Sequence, residues 1–291
     1  MIYRLVQFLW RLFSLVPLWA MYLLSDCLYY PVYYLVRYRR KVTRKNLTES
    51  FPEKSAKEIV KIEKRFYRFF IDLFFETCKV ATISEKNIRK RMNFTNFEVV
   101  NALFEQGKSI TLYMSHYASW EWVASMSLHV DPKTGGMTKQ VYKKLSSSLA
   151  DRLVYENRER FGSLCIEMND TLRRVNQYAA NGQLNMLAYV ADQSPKKRFI
   201  QHYVSFLNHQ APAFVGAEKI TKRYNFAVLY LDLKRIKRGY YEATFSPLHP
   251  DPQSLPDFEL TDLYYGQLEK TILRQPELYL WTHNRFKHAL K

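Results

Sequence analysis

The chain opens on its most apolar stretch. Leu12 to Ser25 carries no charge, and past Asp26 the apolar run resumes to Val36. Those fourteen uncharged residues are short of the roughly 20 that cross a bilayer as a helix. Extended through Asp26 the stretch is long enough, but it then holds that charge and two prolines, Pro17 and Pro31. Between Ser55 and Ala81, Ile59, Ile62, Phe66, Phe69, Phe70, Leu73 and Phe74 recur at helical spacing, which predicts a helix with one apolar face against the core. A turn is expected before it, over Asn46 to Glu53, where Pro52 stands. From Asn93 the pattern changes. Short apolar runs (Ile110–Met114, Asn185–Val190, Phe226–Leu231, Tyr241–Phe245) alternate with helix-like segments (Phe97–Gln106, Leu145–Phe161, Thr171–Asn181, Ala217–Tyr224, Asp262–Arg274). This alternation predicts an α/β fold, a central and mostly parallel sheet flanked by helices. Gly107, Gly182 and Gly239 stand where helices or turns should stop.

Charge changes the reading of the first segment. Arg37 to Lys45 holds six basic residues in nine, directly after the apolar stretch. Trp10, Trp19 and five tyrosines from Tyr22 to Tyr34 are the amphipathic aromatics expected near lipid headgroups. Residues 1–45 therefore read as an N-terminal membrane anchor, spanning or shallowly embedded, with a basic flank facing the cytoplasm and anionic lipid. No small-residue cleavage site follows a short apolar core, so a removed signal peptide is not expected. Residues 46–291 form the second domain. The whole chain carries net charge +17, which favours an anionic partner. Nucleic acid is not the one expected, because the densest charge adjoins the apolar stretch and no nucleic-acid motif is present. Cys27, Cys78 and Cys165 are scattered and read as buried thiols in a reducing compartment, with neither a disulfide framework nor a metal site.

The phosphate-cradling glycine loops and the serine-nucleophile elbow are absent, which argues against a nucleotide-binding enzyme and a covalent serine hydrolase. What remains is His116-Tyr-Ala-Ser-Trp-Glu121, between the run Ile110–Met114 and a helix-like segment, Trp122–Leu128. Five residues apart, the two side chains would stand about 140° apart on a continuous helix. With His116 in the loop ahead of the helix they can approach, and a His–carboxylate pair is the minimal machinery of a general base. Asp192 follows the run Asn185–Val190, so it too sits at the carboxyl end of a strand, where open α/β sheets bind ligands.

Four segments together resemble a known family. Arg44-Lys45-Asn46-Leu47 with Phe51-Pro52-Glu53, the box from Tyr113 to Glu121, Ala191-Asp192-Gln193, and the closing run from Pro276 to Lys287 are similar, in order and spacing, to the late acyltransferases of lipid A biosynthesis. The box itself is similar to the His-x4-Asp/Glu motif of glycerolipid acyltransferases. The resemblance runs from about residue 3 to 288. It implies transfer of a fatty acyl chain from the thioester of acyl carrier protein to a hydroxyl of a lipid A precursor at the inner membrane. The catalytic domain would face the cytoplasm. It implies His116 as the base with Glu121 as its carboxylate, Arg158 as the family's essential arginine, and Asp192 as its strand-end aspartate. Arg158 or a helical N–H would serve the oxyanion. Tyr142-Lys143-Lys144 stands where the family often has Tyr-Arg-Pro, so Lys143 keeps a substrate-binding charge without a bidentate fork. Tyr117-Ala118-Ser119 replaces the common Phe-Gly-Asn. No metal and no cofactor beyond the acyl thioester is expected, and no covalent intermediate. The alternatives are a lysophospholipid or aminolipid acceptor, or a non-catalytic protein that binds anionic lipid at the membrane surface.

Overall fold

The computed structural model describes residues 2–290. Helix α1 (Ile2–Leu15) is followed by α2 (Leu18–Tyr30), which continues as a π-helical turn over Pro31–Val36. Then come α3 (Arg40–Ser50), the long α4 (Ala56–Lys79) and α5 (Glu85–Arg91). The sheet region follows as β1 (Met92–Thr95), α6 (Glu98–Glu105), β2 (Ile110–Met114), a 3-10 helix (Trp120–His129), β3 (Met137–Tyr142), α7 (Ser148–Glu159), β4 (Leu164–Glu167), α8 (Thr171–Ala180) and β5 (Asn185–Val190). A small hairpin, β6 (Tyr203–Phe206) and β7 (His209–Pro212), leads to α9 (Gly216–Tyr224), β8 (Ala227–Lys237), β9 (Tyr240–His249) and α10 (Glu259–Arg274).

Seven strands form one sheet in the order β1-β9-β8-β2-β5-β3-β4. Five neighbours, β8 to β4, run parallel; β9 is antiparallel to β8, and β1 runs parallel to β9. The mostly parallel α/β expectation therefore holds. Strands β2 and β5 lie side by side, with Met114 opposite Val190. Both carry apolar side chains on both faces because helices cover both, which is why their limits were readable as continuous apolar runs. Strands β1, β3 and β4 were not predicted. Their sequences alternate polar residues, as in Met137-Thr-Lys-Gln-Val-Tyr142, and β1 and β4 are the sheet edges. Gly107, Gly182 and Gly239 all take positive φ, 70°, 63° and 70°, as stops that a side chain would strain.

Helix α4 starts at a capping box: the Ser55 hydroxyl accepts from Glu58 N–H, and the Glu58 carboxylate accepts from Ser55 N–H at 2.9 Å. Of its apolar stripe, Ile59, Phe66, Phe69 and Leu73 are core, but Phe74 is exposed. The expected turn over Asn46–Glu53 is largely helix instead. Thr43, Asn46, Leu47 and Ser50 fall at i, i+3, i+4 and i+7 and form the buried face of α3, so tertiary burial extends the helix to Ser50.

The N-terminal helices are docked on the body. Leu18, Met21, Ser25, Tyr29 and Tyr33 are buried, and α2 packs along α4. Of the aromatics expected at headgroups, Tyr29 and Tyr33 are therefore interior, while Trp19, Tyr30 and Tyr34 are exposed. Among the described residues no single helix is long and apolar enough to cross a membrane; α1 and the helix from Leu18 to Val36 meet at 102°. Cys78 is buried as expected, Cys165 is partly buried, and Cys27 is exposed on the outer side of α2.

Candidate active site

Because β2 and β5 are parallel neighbours in register, the residues after Met114 and Val190 emerge together at the carboxyl edge of the sheet. Ala191 N–H donates to Met114 O at 3.2 Å and ties the two exits. His116 and Asp192 meet there: His116 Nδ1 lies 2.8 Å from Asp192 Oδ1, and the backbone N–H of His116 donates to the same oxygen at 3.1 Å. An ionised carboxylate only accepts, so Nδ1 carries the proton and Nε2 presents a lone pair. Burial pushes the Asp192 carboxyl up, but the neighbouring imidazole and the hydrogen bonds from His116 outweigh it and hold the group below the usual carboxylate range. The Gln193 amide nitrogen lies 3.2 Å from Nε2.

Glu121 is not the imidazole's partner. It sits in the first turn of the 3-10 helix, and its two oxygens are taken by Arg158 of α7, at 2.9 Å (Nε to Oε2) and 2.6 Å (Nη2 to Oε1). Trp120 Nε1 donates to Oε1 at 3.0 Å. Burial pushes Glu121 up, but the forked guanidinium and the indole hold it below the usual range. The Trp120 ring stands edge-on to the His116 ring at 5.2 Å, so it lies between the two ion pairs. The chain reaches this arrangement through Ala118, whose φ of 50° is left-handed, a conformation that favours glycine. A narrow crevice runs off the site, lined by Met114, Trp120, Val141, Arg158, Ala188 and Val190. Of the five residues singled out from sequence, four therefore converge. Lys143 does not: it is exposed beyond the end of β3 and makes no hydrogen bond or ion pair among the described residues. The buried lysine of that strand is Lys139, whose ammonium lies 4.3 Å from the Tyr178 ring.

The remaining motifs brace this geometry. The closing run passes beside the histidine loop as a strap: Ala118 N–H donates to Leu278 O at 3.0 Å, and Leu280 N–H to His116 O at 3.1 Å. Asn46 of α3 grips the strap from behind, donating to Trp281 O (2.9 Å) and His283 O (2.8 Å). On α10, Tyr264 donates to Met114 O and Tyr265 to Ala191 O, at 2.9 and 3.0 Å, which fixes both strand exits. Arg285 donates to the Tyr265 hydroxyl at 2.9 Å. Asn46, Leu278–Leu280, Tyr264 and Tyr265 had no assigned role in the sequence reading. Their only signal there was membership of quoted motifs, and for the two tyrosines membership of the helix-like segment Asp262–Arg274. His283 also faces the site. Burial drives its imidazole down to about 4, although Asp192 pulls the other way. Among the described residues no group of three or more His, Cys, Asp or Glu side chains could hold a metal ion.

A mostly parallel α/β sheet thus carries a histidine–aspartate pair at adjacent strand ends, with a forked arginine–glutamate pair beside it. The sequence matches the family model of the bacterial lipid A biosynthesis acyltransferases over residues 1–288, and the chain belongs to that family. It is 26% identical over 254 residues to the lipid A biosynthesis lauroyltransferase of Escherichia coli (strain K12), covering 86% of this chain and 79% of that protein.

Proposed function

We propose that this protein is an O-acyltransferase that moves a fatty acyl chain from the thioester of acyl carrier protein onto a hydroxyl of a lipid A precursor, at the cytoplasmic face of the inner membrane. The observation that carries the reading is the His116–Asp192 pair at the carboxyl ends of two parallel strands, with Nδ1 fixed at 2.8 Å and Nε2 turned to the Gln193 amide, which an acceptor hydroxyl would displace. Nε2 takes the proton of the acceptor hydroxyl while Asp192 stabilises the imidazolium. The oxygen attacks the thioester carbonyl, and the carbonyl electrons move onto oxygen. As the tetrahedral species collapses, the C–S bond breaks and the thiolate recovers the proton from His116. Glu121 acts by holding Arg158: with Nε and one Nη2 N–H engaged, the remaining guanidinium N–H groups are free to donate to the oxyanion. No nucleophilic side chain and no metal or prosthetic group enters this sequence of steps. The family membership supports the lipid A acceptor.

The test is transfer from acyl carrier protein thioester to lipid A precursor, with mass spectrometry of the product. His116→Ala should lower kcat about 10²–10⁴-fold, and Asp192→Asn should fall in the same range because it removes the carboxylate that fixes the tautomer. Near-normal transfer by His116→Ala would refute the assignment of the base. Wild-type activity on a lysophospholipid or aminolipid but not on the lipid A precursor would keep the chemistry and move the acceptor.

A further inference from the structure

The outer face of the N-terminal helices is built the wrong way round for water. Along α1, Leu5, Phe8, Leu9, Leu12 and Leu15 recur at i, i+3, i+4, i+7 and i+10, and all are more than half exposed. The opposite side packs Phe13 on the core and bonds Tyr3, Gln7 and Ser14 to the body, while Arg4 and Arg11 stay exposed. Tyr3 and Gln7 donate to the Glu156 carboxylate at 2.5 and 2.6 Å. Ser14 O accepts from Lys79 and Thr82, both at 2.6 Å. A helix on an aqueous surface turns its apolar stripe inward. This one is held with that stripe outward, and the stripe continues on α2 through Trp19 and Leu23 to Leu35 and Val36 beyond it. An apolar patch of this size needs a partner.

The tethers also decide how a bilayer could be met. Ser25 donates to Asp72 at 2.6 Å, Arg238 is paired to Asp26 (2.8 Å) and Asp72 (2.5 Å), and Tyr33 donates to Glu63 at 2.8 Å. These ionic groups flank the helix from Leu18 to Val36 along most of its length. Had it crossed the membrane, Asp72, Arg238, Glu63 and the arginines on Glu63 would enter hydrocarbon with it, at several kcal/mol each. α1 spans only about 21 Å (14 residues at 1.5 Å), against a hydrocarbon core of about 30 Å, and stands at 102° to its neighbour. Charge names the kind of bilayer. Directly after Val36, a groove of about 880 Å³ is lined by Arg37, Arg39, Arg40, Lys41, Arg44 and Lys45. Arg40 and Arg44 turn inward to Glu63, while Arg37, Arg39, Lys41 and Lys45 stay exposed.

We infer that α1, α2 and the π-helical turn form an in-plane seat: their outer face is buried in one leaflet of an anionic bilayer, with the basic groove at the headgroups and no segment crossing. The inference rests on the membrane-surface reading of the function. It goes further by fixing the mode of attachment. Only one side of the bilayer is touched, and the sheet edge with His116 is held at a constant height above it.

Nitroxides at Leu5→Cys, Leu12→Cys, Leu23→Cys and Leu35→Cys, each in full-length protein carrying Cys27→Ser, test this on phosphatidylglycerol-containing vesicles. Depth is read from collision with oxygen against a water-soluble nickel chelate. All four labels should lie at one shallow depth, about 5–10 Å into the headgroup–acyl boundary. Depths that step through the bilayer along Leu23 and Leu35 would overturn the in-plane seat and leave the membrane reading standing. Vesicle binding with all four labels in water would overturn the seat as the contact surface. No vesicle binding, with labels buried in a dimer, would overturn the membrane reading as well and assign the face to a second copy. As a second check, Leu12→Glu should weaken vesicle binding at least about tenfold with an unchanged thermal transition, because its side chain touches no core. Unchanged binding would count against the seat.

Discussion

At the scale of single residues, the site separates two carboxylates that look alike in sequence. Asp192 serves the imidazole, and Glu121 serves Arg158. A third carboxylate lies deeper. Glu76 of α4 is fully buried and accepts from the hydroxyls of Tyr22 (2.8 Å) and Tyr241 (3.0 and 2.9 Å). Burial pushes it up to about 7 despite those bonds. A carboxyl with a raised folded pKa keeps its stabilising contribution below the unfolded value, near 4.5, and loses it as pH rises through 7. Glu76→Gln should therefore stabilise the protein at pH 8, by about 1–3 kcal/mol, and change little at pH 5. Thermal unfolding measured at both pH values checks it; an equal effect at the two would show that Glu76 is already ionised at pH 5 in the folded state, and that burial does not raise it. Ala118 is the other local departure. Its methyl is buried but its backbone is left-handed, so the box tolerates strain that glycine would avoid.

At the scale of elements, the strap and α3 explain why motifs far apart in the chain travel together. Asn46 satisfies two carbonyls of the closing run, which in turn holds the backbone on both sides of Tyr117. Asn46→Ala should cost about 2–3 kcal/mol in stability, because two inward-facing carbonyls lose their donor. At a temperature where both proteins are folded, kcat should fall while KM for the acceptor stays, since the loss acts through the position of His116. Equal kcat in the folded state would reduce Asn46 to a purely structural role. Sequence pattern revealed β2 and β5 to the residue, because buried parallel strands read as unbroken apolar runs. It missed β3, whose Lys139 is buried with its ammonium over the ring face of Tyr178 of α8. It expected an ordinary helical segment after the box, and the chain forms a 3-10 helix there.

At the scale of the whole molecule, the excess of positive charge is partly spent inside. Arg40, Arg44, Arg158 and Arg238 neutralise internal carboxylates, Lys139 and Arg285 are buried against aromatic rings, and most of the remainder faces outward. If that outward charge docks acyl carrier protein, KM for the carrier-bound donor should rise several-fold between about 0.05 and 0.3 M salt, with kcat unchanged, as the Debye length shortens. A flat KM would mean that carrier docking does not use charge. The fold was legible because helix and strand periodicities are local properties. The site was legible in part: placing His116 and Asp192 at strand ends put both in one crevice, but not in contact.

Taken alone, the sequence determined the α/β class, the placement of His116 and Asp192 at strand ends, and the apolar, basic character of the first 45 residues. Each of these rests on side chains within a few positions of one another. Only the tertiary structure decided which carboxylate meets His116, since its partner is 76 residues away and pairing depends on strand register. It likewise decided that α1 turns its leucines outward, because the direction of an amphipathic face depends on what its polar side can bond.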